Sequence, residues 1–251
     1  MHEFNAGAVV GRSLTIWGRN VLPFSILMLI VHSPVILYLA LAEVDSSHLS
    51  YVLFGQQALD LLAVGTMVYG VFQQLRGQPV SWLSCVGVGL GRFFPVLGVG
   101  ILLVLSVAGA VVPFWMVGGL IGPAGLLLLG LPSIVFCIIV WCMLWVAIPV
   151  AVVERPGVMA SLRRSRELTR GHKGSIFGIV FLLHLITAAI AFFLQKILEA
   201  TLEDTWTTVI ISQGIQAILG GIHAVSTAVG YHDLRQAKEG VGIEELVKVF
   251  E

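Results

Sequence analysis

Charge is what this sequence has least of. Fourteen Lys and Arg and fourteen Asp and Glu make up only 11% of 251 residues, where a soluble domain carries roughly 25%. So few polar groups cannot cover a surface of this size, and 57% of the chain is hydrophobic, so most of its solvent must be lipid. The formal net charge is zero, which leaves no overall field to gather nucleic acid. Cysteine is also scarce. Cys85, Cys137 and Cys142 lie scattered in apolar stretches without CxxC or Cys/His ligand spacing, and read as small buried hydrophobes rather than as a disulfide or metal set. No GxSxG, HExxH, Walker loop, DxD or nucleotide-binding glycine pattern occurs. No segment outside the apolar runs exceeds about 25 residues, too short for a soluble catalytic domain. Neither an enzyme nor a cofactor is expected.

Long apolar runs are present instead. A hydrocarbon core of ~30 Å needs ~20 apolar residues in a helix. Six stretches qualify: Val21–Ala42, Tyr51–Phe72, Phe93–Val117, Leu126–Val153, Ser175–Gln195 and Trp206–Tyr231. The first ends near Ala40-Leu41-Ala42, which resembles a signal cleavage site, but its 22 residues exceed the roughly 7–15 of a signal core, so it reads as a retained span. "GGLIGPAG" between the third and fourth reads as a turn. Pro34, Pro113, Pro132 and Pro149 predict kinks. The predicted fold is an all-α polytopic membrane protein of six transmembrane helices. Counted by loop, thirteen of fourteen Lys and Arg fall on one side and only Lys196 on the other. The positive-inside rule then places both termini in the cytoplasm.

The odd-numbered spans share a prelude. "AGAVVGRSLTIWGRN", "QPVSWLSCVGVGLGR" and "RPGVMASLRRSRELTRGHKG" each hold a helix-compatible segment and a Gly/Arg pair (Gly18-Arg19, Gly91-Arg92, Arg170-Gly171), at a period of roughly 70–80 residues. Three units are expected, each an amphipathic cytoplasmic surface helix followed by a two-helix hairpin. The third surface helix is the most basic: Arg155, Arg163, Arg164, Arg166, Arg170 and Lys173 are six of the fourteen Lys and Arg. On a wheel of about 100° per residue, Val158, Met159, Leu162, Ser165, Leu168 and Thr169 share one face, and Arg163, Arg164, Glu167 and Arg170 the other. Arg163–Glu167 and Glu167–Arg170 have the spacing of helical ion pairs. Such a helix should lie in the interface plane. Its Arg163, Arg164, Arg166, Arg170 and Lys173 either anchor topology or bind lipid head groups or a partner protein. The tail, residues 232–251, carries Ile243, Leu246, Val247 and Phe250 at amphipathic spacing.

"GVMASLRRSRELTRGHKGSIFGIVFLL" resembles a segment of bacterial proteins grouped as the membrane domain of the glycerophosphoryl diester phosphodiesterase family, through Ala160, Ser161, Ser165, Glu167, Leu168, Thr169, Arg170 and Gly171. "TAVGYHDLRQAKEG" resembles that family's ending through Tyr231, Asp233, Leu234, Arg235, Lys238, Glu239 and Gly240. The resemblance implies a six-span membrane domain of a bacterial inner membrane. It lends no catalytic residue, because the soluble phosphodiesterase domain is missing.

Ionisable residues inside spans are costly and each marks a site by default. Four occur: His32, Asp60, His184 and His223. At 1.5 Å per residue they lie roughly 12–18 Å deep, alongside Gln56, Gln57, Gln213 and Gln216. They form either interhelical packing bonds or a polar path for protons or cations. In the sixth span Ala217, Gly221, Ala224 and Ala228 make a stripe of small residues where another helix, of this chain or of a second copy, can approach closely. Glu199, Glu203 and Asp204 on the outer side read as solvated loop residues. Three functions stay open: a non-enzymatic scaffold or accessory subunit engaging lipid or a partner, a small transporter or channel, and a membrane-embedded lipid-modifying enzyme.

Overall fold

The computed structural model describes residues 4–41, 49–202 and 204–240. Every element there is a helix. Helix α1 (Ala6–Arg19) opens on Asn5, whose side chain accepts from the Ala8 amide, and buries Val9, Val10, Ser13 and Trp17 along one stripe. One residue, Asn20, separates it from α2 (Val21–Leu41), and the Asn20 amide donates to Gln74 Oε1 of α3 (Leu49–Leu75), fixing that corner. In α2 the ring of Pro34 removes the amide that would serve the Ile30 carbonyl. The Ser33 hydroxyl donates to that carbonyl instead, at 2.8 Å. Helix α4 (Trp82–Gly91) is short and exposes Trp82, Leu83 and Leu90. Arg92 alone separates it from α5 (Phe93–Ile121).

The turn into α6 (Pro123–Leu144) is tighter than the glycine-rich sequence suggests. It consists of Gly122 alone, at φ 99°, with Pro123 starting the next helix. Glycine explains this: Gly118 and Gly125 let the two backbones meet, and a Cβ on Gly118 would lie 3.0 Å from the Gly125 oxygen. The run expected as one span over Leu126–Val153 is two helices. It breaks at Trp145 and Val146, just ahead of Pro149, and resumes as α7 (Ala147–Val153), which is buried throughout. Then follow α8 (Val158–Thr169), α9 (Lys173–Thr201) and α10 (Thr205–Glu239). The order short, long, long thus occurs three times, with α7 continuing α6.

Six helical stretches are long and apolar enough to cross a membrane: Val21–Leu41, Phe54–Leu75, Phe93–Ile121, Pro123–Val153, Lys173–Thr201 and Trp206–Glu239. The chain is a multi-pass, all-α membrane protein. Its main core gathers at one end, where Phe24, Leu27, Met67, Phe72, Val150, Ile176, Val225 and Tyr231 pack together. Away from that end, Leu105, Leu120, Leu128, Leu131 and Val135 of α5 and α6 are exposed, as suits side chains that face lipid. A smaller cluster of Val35, Leu39 and Val52 joins α2 to α3. The tail beyond Gly240, including Ile243, Leu246, Val247 and Phe250, lies outside the described residues.

Candidate functional site

The break before Pro149 decides how α8 sits. Backbone carbonyls at a broken helix end in an apolar setting draw partners from neighbouring helices, and the Met143 carbonyl stands at this one. Ser165 and Thr169, one turn apart on α8, both donate hydroxyls to it, at 3.0 and 3.1 Å. The buried face of α8 is therefore Ser161, Ser165, Leu168 and Thr169. Met159, expected on that face, is 71% exposed. The helix is turned toward a broken helix end rather than toward a smooth apolar surface.

Arg164 turns inward with that rotation, contrary to its expected place on the outer basic face. Its Nε donates to Glu154 Oε2 at 2.9 Å, and a terminal nitrogen donates to Glu239 Oε1. Arg235 Nε donates to the other oxygen of Glu239 at 3.0 Å, and Tyr231 OH donates to Glu154 Oε1 at 3.0 Å. Burial works to lower the Arg164 pKa, but the hydrogen bonds and charges of Glu154 and Glu239 outweigh it and hold the guanidinium above its ordinary value. Lys238 Nζ donates to the Glu167 and Arg170 carbonyls at 2.6 and 2.8 Å, closing the C-terminus of α8. Arg12 of α1 pairs with Asp233 of α10 at 2.6 Å. One polar lock thus ties α1, α8, α10 and the end of α7 together.

The expected helical pairs of Glu167 with Arg163 and Arg170 do not form. Glu167 reaches Arg164 instead, at 4.0 Å, because Arg164 is already held beside it. Arg163, Arg166, Arg170 and Lys173 are exposed, and among the described residues their side chains make no hydrogen bond or ion pair. Burial, with Lys238 nearby, keeps His172 below its ordinary pKa, so it adds little charge to this face. The lock residues Glu154, Glu239 and Asp233 escape a reading that counts only Lys and Arg by loop. Their signal is that carboxylates accompany the arginines on the same side of the bundle.

The four ionisable residues within the spans form two separate pairs. His32, 1% exposed, has Nδ1 2.8 Å from the Met28 carbonyl and Nε2 3.0 Å from Asp60 Oδ1. Gln56 Nε2 reaches the same Asp60 oxygen at 3.4 Å. On the other side, His184 and His223 have ring centroids 4.1 Å apart. His184 Nδ1 faces the Val180 carbonyl at 2.8 Å, and His223 Nε2 faces Thr187 Oγ1 at 3.1 Å. Among the described residues no hydrogen bond or ring contact joins the pairs, and no group of three His, Cys, Asp or Glu could hold a metal ion.

The small-residue stripe lies against the same chain. Ala217, Ala224 and Ala228 are buried, and a Cβ on Gly221 would fall 2.5 Å from the Trp17 ring and 3.2 Å from Met28. Gly230, outside the stripe, likewise admits the Trp145 ring. Glu199 is engaged by Lys196 at 2.8 Å and Asp204 caps α10 through the Thr207 amide, while Glu203 lies outside the described residues. No protein-family model, no curated protein and no solved structure matches the chain, so these comparisons tie it to no family.

Proposed function

We propose that this protein is a non-enzymatic membrane scaffold whose α8 face binds the phosphate head groups of anionic lipid. The observation that carries this reading is the division of labour along α8. Arg164 is consumed by the internal lock, while Arg163, Arg166, Arg170 and Lys173 stay exposed and, among the described residues, unpaired at the same end as Arg12 and Arg19. Cations kept free at a membrane surface suit phosphate, and each contributes about 1 kcal/mol near an anionic leaflet. The imbalance of Lys and Arg supports a cytoplasmic position for this end, in a bacterial inner membrane. A proton-transport path finds less support, because a relay needs continuous hydrogen bonding and the two polar pairs do not meet.

Native mass spectrometry of the protein released from mixed bilayers tests the proposal. The triple variant Arg163→Gln, Arg166→Gln, Arg170→Gln should lose about 3 kcal/mol of attraction, roughly two decades of affinity, and retain phosphatidylglycerol no better than phosphatidylcholine. Unchanged retention of phosphatidylglycerol contradicts it. A protein retained by the wild type and lost by the triple variant, with lipid retention unaltered, contradicts it in favour of a partner subunit.

A further inference from the structure

The two intramembrane pairs differ in their count of protons. An imidazole nitrogen facing a carbonyl or carboxylate oxygen must carry hydrogen, because two lone pairs in contact repel. His184 and His223 meet this condition as neutral rings. The hydrogen on His184 Nδ1 goes to the Val180 carbonyl. Thr187 spends its own hydrogen on the Leu183 carbonyl, so His223 Nε2 donates to the Thr187 oxygen. Each ring keeps one bare nitrogen.

His32 cannot be satisfied in that way. Both ring nitrogens face oxygens, Met28 O at 2.8 Å and Asp60 Oδ1 at 3.0 Å. A neutral ring has one hydrogen. If it sits on Nδ1, a bare Nε2 faces the carboxylate; if on Nε2, a bare Nδ1 faces the carbonyl. Both contacts are good only when one further proton is present, on Nε2 or on Asp60 Oδ1. Either placement leaves the pair neutral as a whole, which is the form a bilayer interior accepts at least cost.

We infer that His32 and Asp60 form an intramembrane proton-binding site whose occupied state is the one that satisfies both contacts of the ring. The inference is independent of the lipid-binding reading. Asp60 is 46% exposed while His32 is sealed, so the proton enters by way of the carboxyl. Among the described residues no other charged side chain is bonded to the pair to compensate its loss. Of the elements packed on α2, α3 sends Asp60 and the uncharged Gln56, α10 brings Gly220 and Gly221 against Met28 and Gly214 against Leu29, α1 brings Trp17 against Phe24, and α4 sends Cys85 near Phe24. Among the described residues no further titratable or charged side chain contacts His32 or Asp60. The site lies between the main core, which includes Val31, and the smaller cluster at Val35, beside the weakened turn at Pro34. Loss of the proton leaves one ring nitrogen bare against an oxygen, Asp60 Oδ1 or the Met28 carbonyl, and weakens the seat of His32 between α2 and α3.

Solid-state NMR of the full chain in bilayers at pH 7, with labelled histidine nitrogens and aspartate carboxyl carbons, tests this. The account expects either His32 with both ring nitrogens protonated or Asp60 as a carboxylic acid. A neutral His32 beside an ionised Asp60 overturns it. Asp60→Asn gives a second readout, because an amide hydrogen can donate to the bare Nε2 of a neutral ring and spare the packing. In that variant the extra proton should be absent and His32 should show one bare nitrogen. Retention of the doubly protonated ring in Asp60→Asn overturns the assignment of the site.

Discussion

Arg163 and Arg164 are neighbours in sequence with opposite surroundings. Arg164 is 25% exposed and held by Glu154 and Glu239, themselves 18% and 26% exposed. Arg164→Ala removes a charged partner from two half-buried carboxylates, which keep only Tyr231 and Arg235, and charged hydrogen bonds of this kind are worth about 1.5–3 kcal/mol. Its thermal midpoint in mild detergent should fall clearly. Arg163→Ala removes an exposed cation and should stay within about 0.5 kcal/mol of wild type. Equal shifts in the two variants would contradict the lock. Gly221 offers a steric test. Gly221→Val places a side chain where the Trp17 ring and Met28 already lie, and overpacking of this size costs about 1–3 kcal/mol. The same melting measurement reads it. Sequence reveals that position 164 is basic and position 221 small. It does not reveal their partners, because Glu239 and Trp17 are distant in the chain and only the packed bundle brings them near.

At the scale of elements, the apolar runs are legible because a bilayer demands them, and the structure places a helix at each of the six. Their ends are less legible. A membrane helix need not stop at the edge of the hydrocarbon, and α10 continues for 35 residues to the αL residue Gly240. The α6–α7 break is marked in sequence by Pro149, but the compensation is not. It comes from the hydroxyls of Ser165 and Thr169 on α8. Replacing Ser165 by Ala and Thr169 by Val together removes both hydroxyl donors from the Met143 carbonyl, at a cost of about 1–3 kcal/mol. Hydrogen exchange should show faster opening of α8, whereas protection equal to wild type would contradict the role of the two hydroxyls. At the start of α10, the Thr207 hydroxyl and amide hold the Asp204 carboxyl below its ordinary value of 3.8. That contribution is full above pH 3.8 and is lost as the pH falls through the lower folded value. The protection factor of the Thr207 amide, its exchange rate relative to the intrinsic rate at the same pH, should fall in acid for the wild type. Asp204→Asn should show no such pH dependence.

At the scale of the whole molecule, the lock closes one end of the bundle. Arg12 reaches Asp233, Lys238 caps α8, and Tyr231 and Arg235 meet Glu154. The first helix, the third surface helix and the end of α10 therefore share one side, the arrangement that the count of Lys and Arg leads one to expect. Charge counting by loop treats the basic residues as one set. The structure divides them into cations that hold the bundle together and cations left free, and the proposed function rests on the free ones. The most direct test is the contact between arginine nitrogens and lipid phosphorus, measured by nitrogen–phosphorus dephasing in bilayers containing phosphatidylglycerol. The account predicts a phosphate-contacting guanidinium signal that disappears in the Arg163→Gln, Arg166→Gln, Arg170→Gln variant while the Arg164 signal persists without contact. Absence of any such contact in the wild type, or its survival in the triple variant, would contradict it.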